Sequence, residues 1–396
     1  MAATVSDVRI LIAPDDFTGT LTALEAAAAI AEGWRRGAPG DHVTLRPMSD
    51  GGPGFLAVVG HALAGRTLPV VVRGPLGHPV AAEIVIVDDT AYVESAQACG
   101  WGQIPESQRH PLEATTYGLG ELMSTAVAAG VRRIVVGLGG SSTTDAGAGM
   151  LAALGARAWD AAGNDVRLDG GGQPLADVIR IDVMAVRERL AGVDLIVATD
   201  VDATLCGPQG AARGFAPQKG ATAGDVELLD AALASFARVC ATEVQVDTGR
   251  DLTIEAGAGA AGGLGFGLLT IGGVRVRGIA MVCDIVSMEA AIAECDLVVT
   301  GEGCCDWQSL RGKVVTGVAT AALAQSKPVV LIAGKVEVGG QELAAIGVTA
   351  AYAVTDTHPG GLYREDDPAA SLARRSEWVA RQWASAPKAE PPTRDG

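Results

Sequence analysis

Short apolar runs that stop abruptly at acids or glycines recur along this chain, and they constrain its fold more than any other feature. Val8 to Ala13 runs into Pro14, Asp15 and Asp16, and Val43 to Met48 runs into Ser49, Asp50, Gly51 and Gly52. Leu195 to Thr199 ends in Asp200, Val201 and Asp202, and Asp296 to Thr300 ends in Gly301 and Glu302. Val43 to Met48 reads simply as a short strand, while the more apolar runs suit strands of a parallel sheet covered on both faces. The fullest case is Ile134 to Arg157, IVVGLGGSSTTDAGAGMLAALGAR, which reads as a buried strand, a glycine-rich turn and a helix beginning near Asp145. Gly139 and Gly140 permit tight turning beside the hydroxyls of Ser141, Ser142, Thr143 and Thr144. Unpaired N–H groups at such a helix start, aided by hydroxyl donors, make a natural seat for a phosphate or carboxylate. An ordinary strand-to-helix turn explains the same residues equally well.

These alternations place the chain in the α/β class, and 396 residues most naturally form two domains, each with its own core. Thr22 with Glu25 predicts a capping box for a helix reaching about Arg36. From Arg66 to Ser95 the pattern turns β-rich, with Thr67 to Val72, Glu83 to Val87 and Ala91 to Glu94 as hairpin strands and a domain boundary near Gly74. Residues 386–396, rich in proline and charge, read as a disordered tail.

A formal net charge of −16 argues against a nucleic-acid partner, which would need lysines and arginines to neutralise phosphates. Seven cysteines without paired short spacings read as free thiols rather than a zinc site. There is no basic start followed by an apolar stretch, and no uncharged apolar run of about 18 residues, so a soluble cytoplasmic protein without membrane contact is expected.

The candidate site residues lie at the strand exits, which in open α/β sheets face the ligand crevice. Asp15 and Asp16 are candidates for metal or substrate contact, with helix capping as the alternative. The Asp50-Gly51-Gly52 turn repeats the pattern, although an Asp-Gly-Gly sequence is more often just a turn. Asp200 and Asp202, close in sequence to Gln218 and Lys219, form a polar cluster suited to a magnesium ion and a substrate hydroxyl; capping by the acids and a solvated lysine is the alternative. GAGAAGGLGFG, with Gly262 and Gly263, is too apolar for a linker and reads as a tight loop opening a helix, able to cradle an anion. Lys313 at a helix start opposes the dipole and needs a reason such as an anionic ligand, although on an exposed turn the penalty is small.

Ordered blocks then carry a resemblance: APDDFTGTLTALEAA from Ala13, PMSDGGPG from Pro47, TTYGLGEL from Thr115, VGLGGSSTTDAGAGMLAALGA from Val136, the Asp200 to Ala221 segment ending in PQKGA, GAGAAGGLGFGLL from Gly257, and VTGEGCCDWQSLRGKVVTGVA from Val299. From about Val8 to Ser385 the chain resembles the bacterial glycerate kinases of the glyoxylate and glucarate pathways. The resemblance implies a Rossmann- or flavodoxin-like parallel-sheet domain, 1–74 with 285–385, and a second α/β domain, 75–284, inserted in it, with the active site in a cleft. It implies transfer of the ATP γ-phosphoryl to a hydroxyl of D-glycerate or a related small hydroxy acid, with Mg2+ and, as a partner left open, a second copy in a homodimer. Asp200, Asp202 and Lys219 would be catalytic, with the metal on Asp200 and Asp202. Asp15, Asp50, Gly51, Gly52, Gly139, Gly140, Ser141, Asp145, Gln218, Gly262, Gly263, Glu302, Asp306, Gln308 and Lys313 would bind substrate or phosphate.

The chain departs from the family pattern at Thr18 for a lysine, Pro53 for an acid, Thr144 for an asparagine, Ala203 within an Asn-Pro pair, and Cys304 for an arginine. Two cations lost together remove charge-assisted donors, each worth about 1.5–3 kcal/mol. The alternative is therefore an enzyme of this fold repurposed for another substrate or reaction class within a biosynthetic pathway.

Overall fold

The computed structural model describes residues 8–243, 250–355 and 366–384. The chain divides into two compact units, residues 1–49 with 286–396, and residues 50–285. The expected tail, 386–396, lies outside the described residues.

The first unit is built on a five-stranded sheet in which every pairing is parallel, ordered Ala350–Ala353, Val329–Ala333, Leu297–Thr300, Arg9–Ile12, His42–Leu45. Numbered along the chain this is 2-1-3-4-5 read from the His42 edge, the flavodoxin-like order, and it confirms that part of the expected fold. Side chains alternate across the sheet. Ile10, Ile12, Leu297, Val299, Val330 and Ile332 join Ala26, Ile30, Trp34 and Leu372 in one core, while Leu11, Val298 and Leu331 are equally buried on the opposite face. The predicted capping box is present: Thr22 Oγ1 accepts from Glu25 N, and the Glu25 carboxylate accepts from Thr22 N, opening the helix Ala23–Gly37. That helix packs against Pro368–Ala384 so closely that a Cβ on Gly33 would lie 1.9 Å from the carbonyl oxygen of Ala373. Gly33→Val is therefore expected to cost about 1–3 kcal/mol or more, read as a lowered urea midpoint with an unchanged slope.

The second unit carries a six-stranded sheet ordered Val274–Val276, Asp194–Ala198, Arg133–Gly137, Thr90–Glu94, Pro79–Val87, Arg66–Arg73. The first four strands are parallel, and the last two add as antiparallel hairpins. One face is covered by Tyr117–Ala128, Ala148–Leu154, Ala223–Glu243 and Ala260–Thr270, whose residues share a core with Ile84, Val93, Ile134, Val136 and Val197. The boundary expected near Gly74 falls instead at 49/50. Arg66–Arg73 pairs along its whole length with Pro79–Val87, so the segment before Gly74 belongs to this sheet. At the other end the second unit stops at Ile285 and the first resumes at Val286.

Candidate active site

In the second unit the parallel strands ending at Glu94, Gly137, Ala198 and Val276 release their loops at one edge. Glycines let these loops meet. A Cβ on Gly137 would lie 2.5 Å from Gly51 O, one on Gly139 would lie 2.5 Å from Gly52 Cα, and one on Gly278 would lie 1.9 Å from Asp50 O. Gly51 and Gly140 also take φ of +94° and +59°, the left-handed region that glycine enters freely. The structure thus brings Asp50, Gly51, Gly52, Gly139 and Gly140 together with the exit of the Asp200 strand.

Asp50 closes its own turn, its Oδ1 accepting from Gly52 N at 2.9 Å. The Asp200 side chain is only 6% exposed; its Oδ2 accepts from Ile279 N at 2.7 Å and its Oδ1 lies 3.3 Å from Arg277 Nε. Burial pushes this carboxyl up to about 6, and the neighbouring Asp50 charge pushes the same way against the Ile279 N–H and Arg277. Asp202 behaves differently: it is 69% exposed and paired with Arg275. Gln218 is exposed as well, whereas Lys219, its neighbour in a short 3-10 turn, is buried.

Lys219 is 5% exposed, and its Nζ donates to Ser141 Oγ at 2.9 Å and to Thr143 O at 2.5 Å. Burial draws its pKa down to about 8 despite the nearby Asp145 charge. No hydrogen bond among the described residues engages the N–H groups of Gly139 and Gly140. That turn keeps open donors with the lysine charge behind it.

The helix expected to begin near Asp145 begins at Ala148, after left-handed residues at Ala146 and Gly147. Asp145 is fully buried and accepts from Thr116 N, Thr116 Oγ1, Gly147 N and Gly149 N, while Met150 N donates to Thr116 Oγ1. Burial raises its pKa against these bonds. The N–H groups expected to seat an anion at this helix start are taken by the chain itself, so Asp145 braces the turn from inside. Gly262 and Gly263 also face inward: their φ values are +72° and +89°, and a Cβ on Gly262 would lie 1.8 Å from Thr143 O. They allow close packing on the 143–146 loop. Thr144 is buried with an Oγ1 that has no partner among the described residues, Pro53 is exposed beside Gly140, and Ala203 O accepts from Gly259 N.

In the first unit the switch point lies between Arg9–Ile12 and Leu297–Thr300, the place where doubly wound sheets bind ligands. Asp15 N donates to Gly301 O at 2.8 Å, and Asp15 Oδ1 accepts from Asp16 N, while the helix that follows is capped by Thr22 rather than by either aspartate. Glu302 is 8% exposed, its Oε1 has no hydrogen-bond partner among the described residues, and burial pushes it up to about 6 against Ser309, Cys305 and the Lys313 charge. Lys313 is the N-cap residue of Val314–Ala324, and its charge lowers the Glu302 carboxyl without offsetting burial. Asp306 caps the 3-10 turn Ser309–Arg311 through Gln308 N and Ser309 N, leaving the Gln308 side chain exposed. Thr18 and Cys304 are both exposed; the Cys304 thiol is held up by partial burial and by Glu337, Asp306 and Glu302.

Sequence reasoning missed Thr116, Arg275 and Arg277. A signal existed for the arginines: they flank Val276 and lead into Gly278 at a strand exit, as the aspartates do at theirs.

Comparison with known proteins agrees with this architecture. A family model described as the glycerate kinase family matches residues 10–384. The glycerate kinase of Bacillus subtilis is 42% identical over 362 residues, covering 91% of this chain and 92% of that protein. The glycerate 2-kinase of Escherichia coli is 41% identical over 330 residues, covering 83% and 85%. A crystal structure from Salmonella typhimurium LT2, named as "putative glycerate kinase 2", matches with a TM-score of 0.79 at 40% identity, covering 96% of this chain and 98% of that one. In sequence and in fold, over nearly all of its length, the chain belongs to the glycerate kinase family.

Proposed function

We propose that this kinase moves the γ-phosphoryl of ATP to a hydroxyl of D-glycerate or a closely related small hydroxy acid. The observation that carries the reading is the nearly buried Asp200 carboxylate beside Asp50, at the edge where the open N–H groups of Gly139 and Gly140 emerge. Phosphoryl transfer asks mainly for oriented donors around the phosphate and a group that orients the attacking hydroxyl. Gly139 and Gly140 supply the donors, and Lys219 holds their loop through Ser141 and Thr143 while adding positive charge behind it. Asp200 takes the hydroxyl proton as the acceptor oxygen bonds to phosphorus and the β–γ bridging bond breaks, releasing ADP. A carboxyl pushed up to about 6 is ionised at neutral pH and still basic enough for that task.

Mg2+ fits here on the chemistry of the donors. Asp50 and Asp200 are hard oxygen ligands, the Asp50 charge raising the Asp200 carboxyl, and magnesium commonly needs only one or two carboxylates beside substrate phosphates. When bound, the ion neutralises phosphate charge. Asp202, turned onto Arg275, is not part of that pair.

The profile of kcat/KM against pH is expected to be a bell, falling below about 6 as Asp200 protonates and above about 8 as Lys219 loses its charge. Glu302 also sits near 6, so the acid limb is assigned with Glu302→Gln, in which it is expected to persist. A flat profile between pH 5 and 9 contradicts the assignment of both groups.

A further inference from the structure

The exit of Val274–Val276 carries two arginines that the scheme above leaves unused. Arg275 and Arg277 lie two positions apart, on the same side of an extended segment, and each meets one acid of the neighbouring strand exit. The two pairs differ. Arg275 is 21% exposed, with its stem laid over Gly257, and its partner Asp202 stands in solvent. Arg277 is the reverse: its side chain is 54% exposed and its partner Asp200 is nearly buried.

That reversal sets the direction of the guanidinium. Arg277 turns its Nε toward Asp200 Oδ1, and no other hydrogen bond among the described residues engages its two terminal nitrogens. Asp200 is itself fixed from behind by Ile279 N, and the backbone next to Arg277 is pinned because Gly278 meets Asp50 O with no room for a side chain. An ordinary surface pair such as Arg132–Asp89 has both partners largely in water, at 81% and 51% exposure, and orients nothing. In the Arg277 pair a buried acid holds one edge of a planar fork, so the other edge presents paired donors outward. Paired donors on a planar fork match an oxyanion bidentately.

We propose that Arg277 binds a substrate oxyanion at this corner, either the carboxylate of the acceptor acid or a phosphate of the nucleotide, with Asp200 holding the guanidinium in place. The inference rests on the phosphotransfer reading for its substrates, though not for its geometry.

The test is steady-state kinetics of Arg277→Gln and Arg277→Lys with D-glycerate and ATP varied separately. KM for one substrate is expected to rise at least about tenfold in the Gln variant, with kcat changed much less, and lysine is expected to restore only part of the loss because it lacks the fork. A rise confined to D-glycerate assigns the carboxylate; a rise confined to ATP assigns the phosphate. Unchanged KM for both overturns the proposal. If the wild-type protein shows no turnover, the phosphotransfer reading fails separately, and the site is read by calorimetry with D-glycerate and with ATP. Binding about tenfold weaker in Arg277→Gln for either ligand sustains it; equal binding, or none to the wild type, overturns it.

Discussion

Asp200→Asn is expected to lower kcat by about 10²–10⁴-fold while leaving the protein folded. The amide has nearly the same shape, and its oxygen still accepts from Ile279 N, so the loop that carries it stays in place. What disappears is the ability to take a proton and the charge that faces Asp50 and Arg277. Stability is expected to move the opposite way. The folded carboxyl titrates near 6, above the ordinary value of 3.8, so its contribution to stability is full below 3.8 and is lost as pH rises through 6. At pH 8 the neutral variant is therefore expected to melt at or above the wild-type temperature. Steady-state rates and thermal melts at pH 5 and pH 8 check both halves. Turnover within tenfold of wild type removes Asp200 from the reaction.

Lys219→Met is expected to cost about 10²–10³-fold in kcat, because the loop presenting the Gly139 and Gly140 donors loses both its tether and the charge behind it. Methionine fills similar space but leaves Ser141 Oγ and Thr143 O without their donor, a loss of about 1–3 kcal/mol for a buried polar group. A second effect opposes this one. The folded ammonium titrates near 8, below the ordinary 10.5, so Lys219 stabilises the fold above 10.5 and that contribution is lost as pH falls through 8. At pH 7 the variant also relieves a buried charge, and only a modest fall in melting temperature is expected beside the large fall in rate. Equal turnover in this variant and the wild type would leave Lys219 a purely internal residue.

The strand exits were legible because a covered parallel strand must be apolar and must stop where the chain turns; Arg9–Ile12, Asp194–Ala198 and Leu297–Thr300 follow that rule, while the edge strand His42–Leu45 is only half-buried. The cap at Thr22 was legible because its partner lies three residues away. Features that depend on distant partners were not. The domain boundary near Gly74 missed because Arg66–Arg73 is claimed by a hairpin that only the sheet reveals. The inward turn of Asp145 depends on Thr116, 29 residues earlier. Gly262 and Gly263 show the ambiguity of glycine itself, since dense glycines signal a close approach without saying whether a ligand or another loop makes it. Arg277 was hidden because the strand it follows is only three residues long and comes directly after Gly272 and Gly273.

The measurement that bears most directly on the account is ADP release by the purified chain with Mg-ATP, with and without D-glycerate, while phosphorylated product is followed in parallel. ADP formation is expected to require D-glycerate and to match phosphoglycerate mole for mole. ATP consumption indifferent to D-glycerate, or none at all with both substrates at millimolar concentration, would contradict it.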